Sequence, residues 1–429
     1  MNSLKIKHVS IEKLWGIKNI STDFDPNVNI FIGSNGSSKT TFLNLIEAVL
    51  VCDINTFMNI DFECIYLEFQ SEEIGFVKVQ RYYTEEAPAI RYTFINNEVY
   101  EIICSEMLLR PYARNKQKDI YLILKEKLSR ITSISWLSIN RDNFSFSEVD
   151  RGREYIDRIK NLVDLKIQEL VKKLLVYQLQ LESEANKDAI KFKEEVLSLM
   201  LYNETFDNYN ENNIKNFEST DIESMKRALY KAFNKLGVAK VDKNELIQNH
   251  INKIKEVISR ISVNSSAILF KDVFILSLIN RTLSVIEISK EHEIKTANIF
   301  APMFRFWKCL QGFMPSKKFN LNNDGKGELL IDLLEGDNVV QQINVTSLSS
   351  GEKQLFILLT EALLQRKVSH LFIADEPELS LHIEWQRNIL SALLELNPNA
   401  QIIVATHSPE VAGGFPDKII NMRNITYYE

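Results

Sequence analysis

A short run of glycine and serine, set between an apolar strand and an amphipathic helix, constrains this chain more than any other feature. Residues 33–40 read Gly33, Ser34, Asn35, Gly36, Ser37, Ser38, Lys39 and Thr40, with Thr41 next. Residues 28–32 before them form an apolar run of buried-strand length, and Phe42, Leu45, Ile46 and Val49 after them recur at steps of three and four. In this order, a turn of small residues lets successive backbone N–H groups face an anion, and the helix N-terminus adds positive potential. Lys39 is then suited to the β- and γ-phosphates of a nucleoside triphosphate, and the Thr40 hydroxyl to the Mg²⁺ that bridges them. Such a loop usually has glycine just before the lysine, and here Ser38 stands there. The plain alternative is a turn with a solvated lysine.

Three later segments share that chemistry. Leu371, Phe372, Ile373 and Ala374 make a buried strand that ends in Asp375 and Glu376, at the carboxyl end where α/β sheets place ligands. Asp375 fits a role in holding Mg²⁺, and Glu376 one in orienting or deprotonating the attacking water; a helix cap with a first-turn carboxylate is the competing explanation. Residues 347–354 (SLSSGEKQ) precede an apolar-faced helix. There Ser349 or Ser350 can serve as a simple cap, or the serine hydroxyls and the Gly351 N–H can make a second anion site. His407 follows the apolar run 402–405; a lone histidine after a strand is usually structural, but one that follows the Asp375 strand and a helix in this order can reach a γ-phosphate.

Composition excludes several classes. The 429 residues are 45% hydrophobic and 25% charged, the balance of an ordinary globular protein. No apolar run approaches the roughly 20 residues that span a bilayer, and the N-terminus lacks a signal-peptide pattern, so a cytoplasmic location without membrane contact is expected. Cys52, Cys64, Cys104 and Cys309 are scattered and read as reduced core residues. The net charge of −6 argues against indiscriminate nucleic-acid binding.

Residues 1–150 read as a first lobe, strand-rich and carrying the phosphate loop, and residues 301–429 as a second, a strand meander followed by α/β elements. Between them, residues 151–300 carry long three-four apolar periodicity, from Ile156 to Leu181 and again beyond residue 221, interrupted by an Asn-rich stretch over 202–216. That middle section is either a projecting antiparallel coiled coil or a compact helical subdomain.

Together these residues resemble the ABC ATPase superfamily, in its branch of SMC, RecF and OLD-like proteins. The expected fold is α/β: a two-lobed ABC ATPase head of mixed sheets around a P-loop core, with a helical insertion. By that resemblance residues 33–40 correspond to Walker A, 348–354 to the signature, 371–376 to Walker B, 378–382 to the D-loop and His407 to the switch histidine. It implies ATP and Mg²⁺ as cofactors, and a homodimer or higher oligomer in which each ATP lies between Lys39 of one copy and Ser349 with Gly351 of another. His382 stands where many relatives carry Asp.

OLD nucleases continue into a TOPRIM domain, whereas 22 residues follow His407 here. The expectation is an effector on a separate protein, such as a TOPRIM-like or HNH nuclease, released by a phage-derived protein trigger. This is the organisation of two-component anti-phage systems of the PARIS and Septu kind. Two alternatives stay open: a RecF-like repair ATPase that binds DNA, for which Arg141, Arg151, Arg153 and Arg158 offer a basic stripe unless they form a solvated helix face paired with Glu148, Asp150, Glu154 and Asp157, and an ATP-dependent scaffold that does not hydrolyse.

Overall fold

Alternating burial along the first strands builds a seven-stranded antiparallel sheet. In the computed structural model, β1 (Ile6–Leu14) and β2 (Lys18–Asp23) form a hairpin, β3 (Val28–Ile32) departs to a second sheet, and β4 (Cys64–Phe69), β5 (Phe76–Tyr83), β6 (Pro88–Phe94) and β7 (Val99–Ile103) extend the first. The structure describes residues 5–85, 87–104, 116–131, 134–138, 153–202, 221–237, 243–263, 270–321, 328–336, 338–366 and 368–428. Arg141, Arg151, residues 203–216 of the Asn-rich stretch and the side chains of Arg153 and Arg158 lie outside the described residues.

The second sheet draws strands from both ends of the chain. It begins with β8 (Ile134–Ser138); β9 (Lys317–Leu321), β10 (Leu329–Glu335) and β11 (Asn338–Asn344) then make a separate antiparallel meander. β12 (His370–Asp375), β13 (Ala400–Ala405) and β14 (Ile419–Asn421) complete a parallel sheet in the order β14-β3-β13-β12-β8. β15 (Thr426–Tyr428) returns to the first sheet as an edge strand on β2. Five of these strands, β2, β7, β8, β14 and β15, lie outside the runs that the sequence marks as strands.

Helix α1 (Lys39–Val51) shows why the two sheets share one core. A single apolar face is expected from the spacing of Phe42, Leu45, Ile46 and Val49, but Leu43, Ala48 and Leu50 are buried as well. A helix apolar all round must be covered all round. The same cluster holds Ile11, Leu67, Val79 and Tyr92 from the antiparallel sheet and Phe31, Ile373, Ile403 and Ala405 from the parallel one. Gln401, fully buried on β13, clamps the two: its Oε1 accepts from Ile6 N (2.7 Å), and its Nε2 donates to the carbonyls of Ile6 and Asp25, both at 2.8 Å. α2 (Ile54–Asn59) and α3 (Lys116–Ile131) pack beside α1. The four cysteines are free thiols, three of them buried.

The chain divides into two compact units, Met1–Leu175 with Met303–Glu429, and Val176–Pro302. Two long helices, α4 (Arg153–Ser198) and α7 (Phe270–Phe313), belong to both. Within the second unit they run antiparallel, since His292 Nδ1 lies 2.5 Å from Asp188 Oδ2 while Arg281 Nε donates to the Leu199 carbonyl at 2.7 Å. α5 (Ile222–Lys235) and α6 (Lys243–Val263) add Met225, Leu229, Ile247, Ile251 and Ile254 to a core with Ile279 and Ile286 of α7. The insertion is therefore a multi-helix unit with its own core, beyond a bare two-helix coil. No described helix is long and apolar enough to cross a membrane.

Candidate functional site

The phosphate-type loop joins β3 to α1, as its composition anticipates. Gly33 is needed for space, because an added Cβ would sit 2.6 Å from Ser37 Oγ, and Gly36 for its positive φ of +78°. Ser38 occupies the position just before Lys39 with φ 68°, in the left-handed region where glycine is favoured. Its side chain does not cap α1; its Oγ accepts from Lys18 Nζ at 3.2 Å, so a second cation reaches the loop from β2. Ser34, Asn35, Gly36 and Thr40 are exposed, Ser37 and Thr41 half-buried. The Ser37 hydroxyl is buried without a hydrogen-bond partner among the described residues.

Lys39 is 6% exposed and sits at the centre of the cluster. Its ammonium donates to the Gly33 carbonyl (2.8 Å) and to His407 Nε2 (2.9 Å), so Nε2 is an acceptor here. His407 Nε2 also lies 3.8 Å from Glu376 Oε1. The parallel pairing of β12, β13 and β3 explains the convergence, because all three strands end on one side and their loops meet there. Burial holds the Lys39 ammonium below its ordinary pKa, against the opposing pull of Glu376, Asp375 and Glu378. Glu376 has φ 49° and donates its N–H to the Ala405 carbonyl at 2.8 Å, a strained backbone at the end of β12.

The signature residues have other neighbours. Ser349 caps α8 (Ser350–Leu364) in a capping box with Glu352, so the plain cap exists in the structure; Ser350 is exposed. Gly351 is pressed against the loop that follows β12, where an added Cβ would meet the Ser380 carbonyl oxygen at 2.2 Å. Gln354 Nε2 donates to the Pro377 carbonyl at 2.5 Å in the same loop. Gly351 and Gln354 thus lie against residues 377–381, and Ser349 is bonded to Glu352.

Glu378 escaped the sequence analysis except as part of a loop. It is 7% exposed, and its Oε1 accepts from the Thr406 hydroxyl, from His407 N (3.1 Å) and from Ser408 N (3.3 Å). Burial raises the Glu378 carboxyl pKa, with these hydrogen bonds working the other way. Gln386 of α9 (Ile383–Leu396) braces the arrangement, donating to the Leu381 carbonyl at 2.9 Å and accepting from Ser408 Oγ at 2.7 Å. Ser408 in turn caps α10 (Pro409–Gly413). The sequence signal was the pairing of an acidic residue just after Pro377 with a Thr-His-Ser run, visible only once β12 and β13 are known to be neighbours.

No group of three metal-ligating side chains occurs among the described residues. The oxygen donors near the loop, the Thr40 hydroxyl and the Asp375 carboxylate, are hard ligands of the kind Mg²⁺ accepts when substrate phosphates and water supply the remainder. The residues present therefore fit a nucleotide-borne Mg²⁺ rather than a self-sufficient metal cage.

Residues 4–412 match the family described as the AAA ATPase domain. The chain belongs to that family. An AAA ATPase domain uses ATP. Curated relatives match over short stretches: the Retron Ec83 probable ATPase of Escherichia coli is 34% identical over 94 residues, 19% of this chain and 17% of that protein. The DNA replication and repair protein RecF of Lactobacillus acidophilus is 46% identical over 44 residues, 10% of this chain and 11% of its own length. The chain thus spans less than a fifth of either relative. Among solved structures, the Smc head domain of Pyrococcus furiosus with an extended coiled coil, bound to the C-terminal domain of ScpA, aligns over 99% of this chain and 96% of that one, with 14% identity and a TM-score of 0.41.

Proposed function

We propose that this chain is an ATP hydrolase that closes head to tail around nucleotide with a second copy of itself and thereby controls a separate effector in anti-phage defence. The observation that carries the enzymatic part is the Lys39, His407 and Glu376 cluster, set beside a loop of small residues at the start of α1. In this scheme the amides of Gly33, Ser34, Asn35, Gly36, Ser37 and Ser38 cradle the phosphates, Lys39 bridges the β- and γ-phosphates, and Thr41 steadies the first turn. Thr40 and Asp375 would hold Mg²⁺, which supplies charge neutralisation across the phosphates. Glu376 orients and deprotonates the attacking water, and His407 donates to the γ-phosphate as charge builds there.

Ser349, Ser350 and Gly351 come from the partner copy, at the N-terminus of α8, where backbone N–H groups and the helix dipole favour an anion. The match to the Retron Ec83 probable ATPase supports the ATPase part of this reading, and the defence setting rests on the resemblance to two-component anti-phage ATPases. The RecF match favours a second candidate, a repair ATPase acting on DNA.

Glu376→Gln separates these ideas from a scaffold that only binds. Wild type should turn over ATP while the variant does not, and the variant should hold ATP and elute at twice the protomer mass. A wild type no faster than the variant, or a variant that stays monomeric with saturating ATP, would sink the proposal. Retention on duplex DNA that falls steeply with salt would shift the assignment to repair.

A further inference from the structure

We propose that Glu378 is a positioning residue for His407, its Oε1 fixing the backbone of residues 406–408 so that the imidazole faces Lys39. This rests on the proposed hydrolase for its kinetic consequence, but the geometry stands by itself. Three donors from three consecutive residues, the Thr406 hydroxyl and the N–H groups of His407 and Ser408, converge on one oxygen. Thr406 is fully buried and Glu378 nearly so.

A carboxylate taken out of water is costly unless paired. Glu378 has no ion-pair partner among the described residues, and its Oε2 is buried without a hydrogen bond. The hydrogen bonds to its carboxylate come from that turn, with the Lys39 ammonium acting on it only through space. A serine or asparagine could cap the turn at smaller desolvation cost, so a carboxylate there is matched to a demand for rigidity. The demand is plain in the distances: His407 Nε2 has Lys39 Nζ 2.9 Å on one side and Glu376 Oε1 3.8 Å on the other, and a shift of about 1 Å would break that arrangement. The bond from Ser408 Oγ to Gln386 closes the bracket from behind.

The test compares Glu378→Ala, Glu378→Gln, Thr406→Val and His407→Ala, with the Glu378→Ala/His407→Ala double variant, in the full chain. Steady-state ATP hydrolysis is one readout, and the His407 ring signals in a ¹⁵N-histidine-labelled protein are the other. For Glu378→Ala we expect kcat to fall about tenfold to a hundredfold, the range for residues that orient a reacting group, with KM for ATP moving less than about threefold. Glu378→Gln keeps the acceptor and should recover most of the rate, and the double variant should be no slower than His407→Ala alone.

The ring signals should move in Glu378→Ala and return in Glu378→Gln. Multiplicative losses in the double variant, or ring signals unchanged in Glu378→Ala, would overturn the assignment. If Glu378→Ala does not fold, Thr406→Val removes one donor from the opposite side and carries the same comparison. A wild type without turnover would defeat the hydrolase proposal, while the ring signals would still judge Glu378.

Discussion

Replacing Gly351 with alanine tests the packing of α8 at a single atom. The added Cβ would lie 2.2 Å from the Ser380 carbonyl oxygen and 3.3 Å from its carbon, whereas ordinary contact begins near 3.4 Å, so one side must retreat by about 1.2 Å. Neither side yields easily. Both are backbone, Ser380 already has φ 72°, and the neighbouring Pro377 carbonyl is held by Gln354 at 2.5 Å. Forcing extra atoms into such a contact costs about 1–3 kcal/mol, and alanine's better helix propensity returns up to about 1 kcal/mol. The net expectation is a loss of about 1–2 kcal/mol. In a unit of this size that lowers the melting temperature by about 1.5–3 °C. The assay is a calorimetric melt of the protein without nucleotide, so that no second copy contributes. Ser350→Ala, at an exposed first-turn position, serves as control and should stay within about 0.5 kcal/mol of wild type. A Gly351→Ala protein that melts with wild type would refute the close approach of α8 to residues 377–381.

Glu47→Gln should change how stability depends on pH. Burial first, and the charge of Asp53 second, push the Glu47 carboxyl up to about 7; the folded state therefore holds a proton that the unfolded chain releases at ordinary carboxylate values. The stability this provides is present in acid and is lost as pH rises to about 7, so the variant should gain about 1–3 kcal/mol at pH 8 and little at pH 4.5 in urea titrations; parallel pH profiles for the two proteins would count against it. Gln401→Leu should cost about 3–5 kcal/mol, because the Ile6 N–H and the carbonyls of Ile6 and Asp25 lose buried partners. A denaturant midpoint close to wild type would show that the clamp between the sheets is dispensable.

What could be read from the chain follows a physical division. β3, β12 and β13 are apolar runs with fixed punctuation, and α1, α8 and α9 carry three-four spacing, so local pattern suffices for them. β14 and β15 are three residues each and have no pattern of their own; they exist because β3 and β2 offer open edges. β8 was hidden for the same reason, as its hydrogen bonds come from β12. The helical face of α1 was under-read because nothing local announces a second sheet.

At the site, Lys39, Asp375, Glu376 and His407 stood out by residue type and by position at strand ends. Glu378 did not, since an acidic residue after a proline ordinarily faces water, and only the pairing of β12 with β13 turns it toward Thr406. Ser349 caps α8 within one molecule, and the proposed anion site would use the same N-terminus.

The position of β3 has a consequence for synthesis. Its neighbours in the parallel sheet pair Val28 with Ile402 and Ile30 with Ile419, some 370–390 residues further along. At roughly 5–20 residues per second, β3 leaves the ribosome about 20–75 s before either arrives. For that interval β3 lacks both of its partner strands in the parallel sheet, and Lys39 has no His407. A nascent chain of this protein is thus committed to a long wait with an open edge, and the contact between Lys39 and His407 forms only once translation has passed residue 407.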